Sequence, residues 1–106
     1  INQNNKIKCL IEKDKKKEPV MWLFTILTPY KDIIQKHLRN QNIETNQVHF
    51  RNDRYNIFKK FIKGNKFKNM DKLQDDYLVL PMHTNMSIKD AINVSKNINN
   101  VLKNIK

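Results

Sequence analysis

Glycine is nearly absent. Gly64 stands alone, and proline occurs only at Pro19, Pro29 and Pro81 in 106 residues. That excludes a collagenous or loop-rich polymer. A single cysteine, Cys9, excludes an intrachain disulfide. Cys9, His37, His49 and His83 also lack the spacing of a zinc set. No run of about 18 apolar residues occurs, so no membrane-spanning helix is expected. The opening Ile1-Asn2-Gln3-Asn4-Asn5 has neither a methionine nor a signal-peptide layout, and reads as a chain entered midway.

What the sequence holds is length for one domain, a hydrophobic share of 39% that permits a modest core, and a net charge of +11. A basic balance raises nucleic acid or an anionic membrane as partner. The lysines are dispersed, however, apart from Lys13, Lys15, Lys16 and Lys17. The chain is also rich in Asn, Ile and Lys together, three residues with A/T-rich codons, so compositional drift accounts for much of the charge.

Hydrophobic patterning lays out the elements. Ile7, Cys9 and Ile11 alternate as one face of a strand, which makes Cys9 a buried strand thiol. Residues 12–19 are a charged connection. The unbroken apolar run over 20–27 predicts a central strand covered on both faces. Thr28 and Pro29 announce a helix as cap and first residue. Its stripe is Tyr30, Ile33, Ile34, His37, Leu38 and Gln41, with His37 as a packing residue. Ile43 opens a further strand. Tyr55, Phe58, Phe61 and Ile62 predict a short helix ending at Gly64. Residues 65–76 read as a polar loop. Tyr77 to Leu80 is a buried strand stopped by Pro81. Ser87, with Asp90 three residues on, caps a long helix whose stripe is Ile88, Ala91, Ile92, Ser95, Ile98, Val101, Leu102 and Ile105. The sum is an α+β fold: a small, mainly antiparallel sheet with helices packed on one face.

The strand opened by Ile43 ends in a dense polar group: His49, Arg51, Asn52, Asp53 and Arg54. Turns are usually built from Gly, Pro, Asn and Ser, and two arginines with a histidine are unusual there. The cluster suits an anionic or polyhydroxylated ligand. A solvated loop in a basic protein, with Asp53 and Arg54 as a local ion pair and helix cap, accounts for the same residues.

Five segments in this order resemble one family: residues 22–27, 42–45, 48–55, 78–83 and 86–90. The sharpest is His49-Phe50-Arg51-Asn52-Asp53. Together they resemble the C-terminal small domain of the DegT/DnrJ/EryC1/StrS aminotransferases, pyridoxal-phosphate enzymes that aminate keto sugars carried on nucleoside diphosphates. The resemblance runs from about Val20 to the end. It implies that residues 1–106 are a single domain, the C-terminal fragment of a larger two-domain enzyme, with residues 1–19 a strand plus charged connection from a missing large domain. The family's Schiff-base lysine belongs to that large domain. No lysine here is a catalytic candidate, and the fragment alone is expected to be inactive and not to bind pyridoxal 5'-phosphate. His49, Arg51, Asn52 and Arg54 are the implied substrate-binding residues, with Asp53 holding an arginine in place. His83 matches a strand-end position and reads as structural. The resemblance further implies a cytoplasmic enzyme of amino sugar biosynthesis, homodimeric at full length, with a nucleotide sugar as substrate, no membrane partner and no nucleic acid.

Two other readings stay open. One is a small basic nucleic-acid-binding module using Lys13 to Lys17 and the Lys59, Lys60 and Lys63 patch, with steep salt dependence. The other is a noncatalytic interaction domain.

Overall fold

The computed structural model describes residues 5–11, 16–18 and 20–105. The first four residues, most of the charged connection with Lys13 and Lys15 of the lysine run, and Pro19 lie outside them. Three short strands, β1 (Lys8–Cys9), β2 (Phe24–Leu27) and β3 (Tyr77–Leu80), form an antiparallel sheet in the order β1-β2-β3. Cys9 opposes Ile26, Ile26 opposes Leu78, and Phe24 opposes Leu80. Side chains alternate across a strand, so this register puts Cys9, Phe24, Ile26, Leu78 and Leu80 on one face. Helices α1 (Lys31–Asn40) and α4 (Ile88–Lys103) cover that face with Ile34, Leu38, Val94, Ile98 and Leu102. Each such side chain taken out of water contributes roughly 1.5–3 kcal/mol. The α+β architecture with helices on one face is therefore the observed one.

Several boundaries differ from the sequence reading. β2 is central, but it uses only the last four residues of the apolar run. Trp22 is 74% exposed and Val20 fully so. Only Ile26 of the strand is buried, and its neighbours are half-buried, so the strand is not covered on both faces. An apolar run specifies a strand without specifying how many layers will cover it. α1 begins at Lys31, after Pro29 and Tyr30. The buried Thr28 hydroxyl accepts from the Tyr30 N–H at 3.2 Å, a cap on the turn that leads into the helix. The helix closes in a Schellman motif, with Asn42 in the left-handed region at φ 57°. Ile43 N–H donates to Leu38 O at 2.9 Å and Asn42 N–H to Arg39 O at 3.0 Å.

The strand expected from Ile43 onward is an extended segment that touches the sheet once. Asn46 and Val79 exchange two backbone hydrogen bonds at 2.8 and 3.1 Å. Beyond that bridge the chain enters two 3-10 turns, Asn52–Arg54 and Asn56–Phe58, and the four-residue helix α2 (Lys59–Ile62). Gly64, at φ 77°, follows the left-handed cap residue Lys63. Residues 65–76 are not a loop: α3 spans Lys68–Asp76. The signal was present, because Phe67, Met70, Leu73 and Tyr77 recur at helical spacing amid polar residues.

In α4 the box is complete. Ser87 Oγ accepts from the Asp90 N–H at 3.2 Å and Asp90 Oδ2 accepts from the Ser87 N–H at 2.8 Å. The buried stripe is Val94, Ile98, Val101 and Leu102, whereas Ile88, Ala91 and Ile92 are exposed. α1 opposes it with only Ile34 and Leu38 buried, too short a stretch to cover the first turns of α4. At the other end Lys6 Nζ donates to Leu102 O and Ile105 O at 3.1 and 2.5 Å, placing a cation on the carbonyl end of the helix. Among the described residues no helix is long and apolar enough to cross a membrane.

Candidate functional site

Residues 47–55 run from the Asn46 bridge through the first 3-10 turn, and Arg51 fixes their shape. It is the one charged residue among those described that is buried, at 4% exposure. Its backbone is extended, and the first 3-10 turn starts at the next residue. Arg51 Nε donates to Asp53 Oδ1 at 2.8 Å and its Nη2 to Oδ2 at 2.5 Å, a planar fork on a planar carboxylate. Its Nη1 donates to Asp71 Oδ1 on α3. Arg54 Nη2 lies 3.7 Å from the same Asp71 oxygen. The bonds to Asp53 and then Asp71 push the Arg51 guanidinium further above its ordinary value. The Arg51 bond holds the Asp53 carboxyl below the usual carboxylate range. This network straps the polar segment to α3.

The predicted site residues separate into two groups. His49, Arg51, Asn52 and Asp53 share one wall of a cavity of about 550 Å³. Phe67, Met70, Leu73, Gln74 and Tyr77 form the facing wall. Arg54 is half exposed outside it, beside Asp71. His49 and Asn52 are exposed at the rim. The His49 ring meets Trp22 edge-on at 6.0 Å between centroids, and Phe50 meets Tyr55 in the same way at 5.1 Å. Asp71 and the α3 wall escape the sequence reading, which makes residues 65–76 a polar loop. The Tyr77 hydroxyl is the one buried side-chain polar atom left without a partner among the described residues. Leaving such a group unmet is costly, which makes this wall unusual.

A second cavity, about 530 Å³, lies between residues 41–46, the end of β3 and the start of α4. His83 lines it with Asp90, whose carboxyl is held low by its bonds to Ser87. His37 is placed as a packing residue, Nε2 3.2 Å from Asn97 Oδ1 on α4. Among the described residues no cluster of three His, Cys, Asp or Glu could hold a metal ion.

The chain matches the family model of the DegT/DnrJ/EryC1/StrS aminotransferases over residues 2–99. It belongs to that family. No curated protein sequence matches it. Among solved structures, the aminotransferase TlmJ from Streptoalloteichus hindustanus superposes with a TM-score of 0.86 at 12% identity, over 100% of this chain and 29% of that one. Spr1654 from Streptococcus pneumoniae, assigned as a sugar aminotransferase and solved in its PMP form, gives 0.75 at 17% identity, covering 95% of this chain and 27% of its own. PseC from Helicobacter pylori, an aminotransferase involved in the biosynthesis of pseudoaminic acid, gives 0.64 at 20% identity, over 76% and 23%. The chain thus spans less than a third of each of these three solved aminotransferases, and shares its fold with that part.

Proposed function

We propose that this DegT-family chain is the small domain of a pyridoxal-phosphate-dependent aminotransferase acting on nucleotide-linked keto sugars. In this reading residues 1–106 form one domain, with residues 1–19 entering from a larger domain that holds the catalytic lysine. The observation that carries it is the family match over residues 2–99. The solved aminotransferases, of which the chain covers 23–29%, support a larger partner domain.

Pyridoxal phosphate needs an amine, a carboxylate and a phosphate cradle in one place, and neither of the two cavities described above is lined by a lysine. In this reading the cofactor belongs to the larger domain, where it supplies the electron sink. The part proposed for this chain is to bind and orient substrate. His49 and Asn52, exposed at the rim, suit hydroxyl groups. Arg54, half exposed, suits a phosphate oxygen, as a guanidinium does. Arg51 has its fork already occupied by Asp53 and Asp71. Its proposed task becomes positioning the segment, and Asp53 holds it in place. The full-length enzyme is expected to be cytoplasmic and homodimeric.

The test is aminotransfer by a polypeptide that joins this chain to a large domain, with a nucleotide-linked keto sugar and an amino-acid donor. Arg54→Ala is expected to raise KM for the nucleotide sugar by about tenfold, the scale of one hydrogen bond to a charged partner, with cofactor loading unchanged. No aminotransfer to any nucleotide-linked keto sugar would overturn the reading.

A further inference from the structure

We propose that the cavity beside Arg51 is a subsite for an uncharged planar heterocycle of the nucleobase class, and not a phosphate pocket. The proposal rests on the aminotransferase reading for the ligand's other end, and on the cavity itself for this one.

Charge argues first. Arg51 is the one arginine or lysine on the wall, and two carboxylates engage it. Asp53, which lines the same wall, presents a carboxylate to any guest. A phosphate placed there would meet a neutralised guanidinium and a fixed negative group. An uncharged guest avoids both costs. Both Asp53 oxygens are taken by Arg51, so they are poor acceptors for the hydroxyls of a sugar ring.

Shape and polarity argue next. Phe67, just before α3, and Met70 and Leu73 on it line the cavity at three-residue steps, and Phe50 lines it from the polar segment. Each of the four is 39–56% exposed, so the slot is open to a guest. Apolar rungs, aromatic edges and a polarizable thioether suit a flat ring. The volume lies within the roughly 300–1,000 Å³ of small-molecule sites. Asn52 and Gln74 contribute amides to the walls. An amide presents a donor and an acceptor side by side, as the edge of a base does.

The chain carries its own reporter. Trp22 is its sole tryptophan and contacts His49 at the rim. Trp22 emission is followed while the chain is titrated with uridine, thymidine and guanosine, and separately with inorganic pyrophosphate, at low and high salt. At least one nucleoside is expected to change the emission saturably in the millimolar range, with an affinity that salt does not alter and pyrophosphate does not reduce. Leu73→Arg, at a partly exposed position, is expected to weaken that binding by about tenfold with an unchanged melting temperature. Absence of saturation for every nucleoside, or equal competition by pyrophosphate, overturns the proposal. In the joined enzyme, Leu73→Arg that leaves KM for the nucleotide sugar unchanged overturns the subsite and leaves the aminotransferase reading intact. Nucleoside binding without any aminotransfer supports the subsite and overturns that reading instead.

Discussion

Arg51 shows how residue type and residue role part company. A guanidinium at the end of a polar segment is the residue type that recognises a diphosphate, and residue type alone does not tell whether its fork is already occupied. Asp53 was legible as its partner because it stands two residues away. Asp71 was not, because it arrives from twenty residues on through α3. The prediction at this scale follows from the fork. Arg51→Ala leaves Asp53 and Asp71 without their partner and unstraps the segment from α3, so it should lower the melting temperature and increase proteolysis within 47–55. Arg51→Lys should restore only part of the loss, because an ammonium cannot span both carboxylates in one plane. Melting curves and limited trypsin digestion of the three proteins check this. An Arg51→Ala protein that melts as the parent does would leave Arg51 free for a ligand after all.

At the scale of the element, α4 is the most legible piece of the chain. Its start was marked by Ser87 and Asp90, and both reciprocal bonds form. Removing the hydroxyl in Ser87→Ala is expected to cost about 0.5–2 kcal/mol, measurable by urea denaturation. The cap also carries a pH dependence. The folded Asp90 pKa lies below its ordinary value because it accepts from Ser87. Its contribution is thus full above the unfolded value of about 3.9 and is lost as pH falls through the lower folded one. The stability gap between the parent and Asp90→Asn should be largest near neutrality and shrink below about pH 4. A gap that is flat across that range would place Asp90 outside the cap. α3 is the contrasting case. Its apolar residues are diluted by Lys, Asn, Asp and Gln, and it ends directly in β3 with no turn between them. Two periods, one helical and one of strand type, therefore share a boundary at Asp76 and Tyr77. Composition then reads as loop although Phe67, Met70 and Leu73 keep the helical beat.

For the whole molecule, the core is one layer of two helices on a three-stranded sheet, so each fully buried side chain carries a large share of stability. Ile98→Ala, at 0% exposure, is expected to cost about 2–5 kcal/mol, a large fraction of the roughly 5–15 kcal/mol of an ordinary domain. Outside that core, Trp22, Ile57, Phe61 and Ile88 are 67–81% exposed. Leu38, by contrast, is wholly buried and offers nothing to a neighbour. The isolated chain should bind a hydrophobic dye, and Phe61→Asp together with Ile88→Asp should reduce the signal without lowering the melting temperature. A dye-silent parent chain would contradict this.

The sequence alone determined what local chemistry determines. The Ser87 cap, the stop at Pro81, the Tyr77 to Leu80 strand, the Gly64 exit and the class of fold depend on residues within a turn or two of each other. Family membership was also readable, because it resides in the order of short segments. Only the tertiary structure decided which apolar residues are covered, whether the segment after Ile43 pairs beyond Asn46, and what Arg51 does. Each of these depends on a partner distant in sequence: α1 across from α4, Val79 beside Asn46, Asp71 on α3. Such partners meet only when the chain closes on itself, and no periodicity or spacing along the chain encodes that meeting.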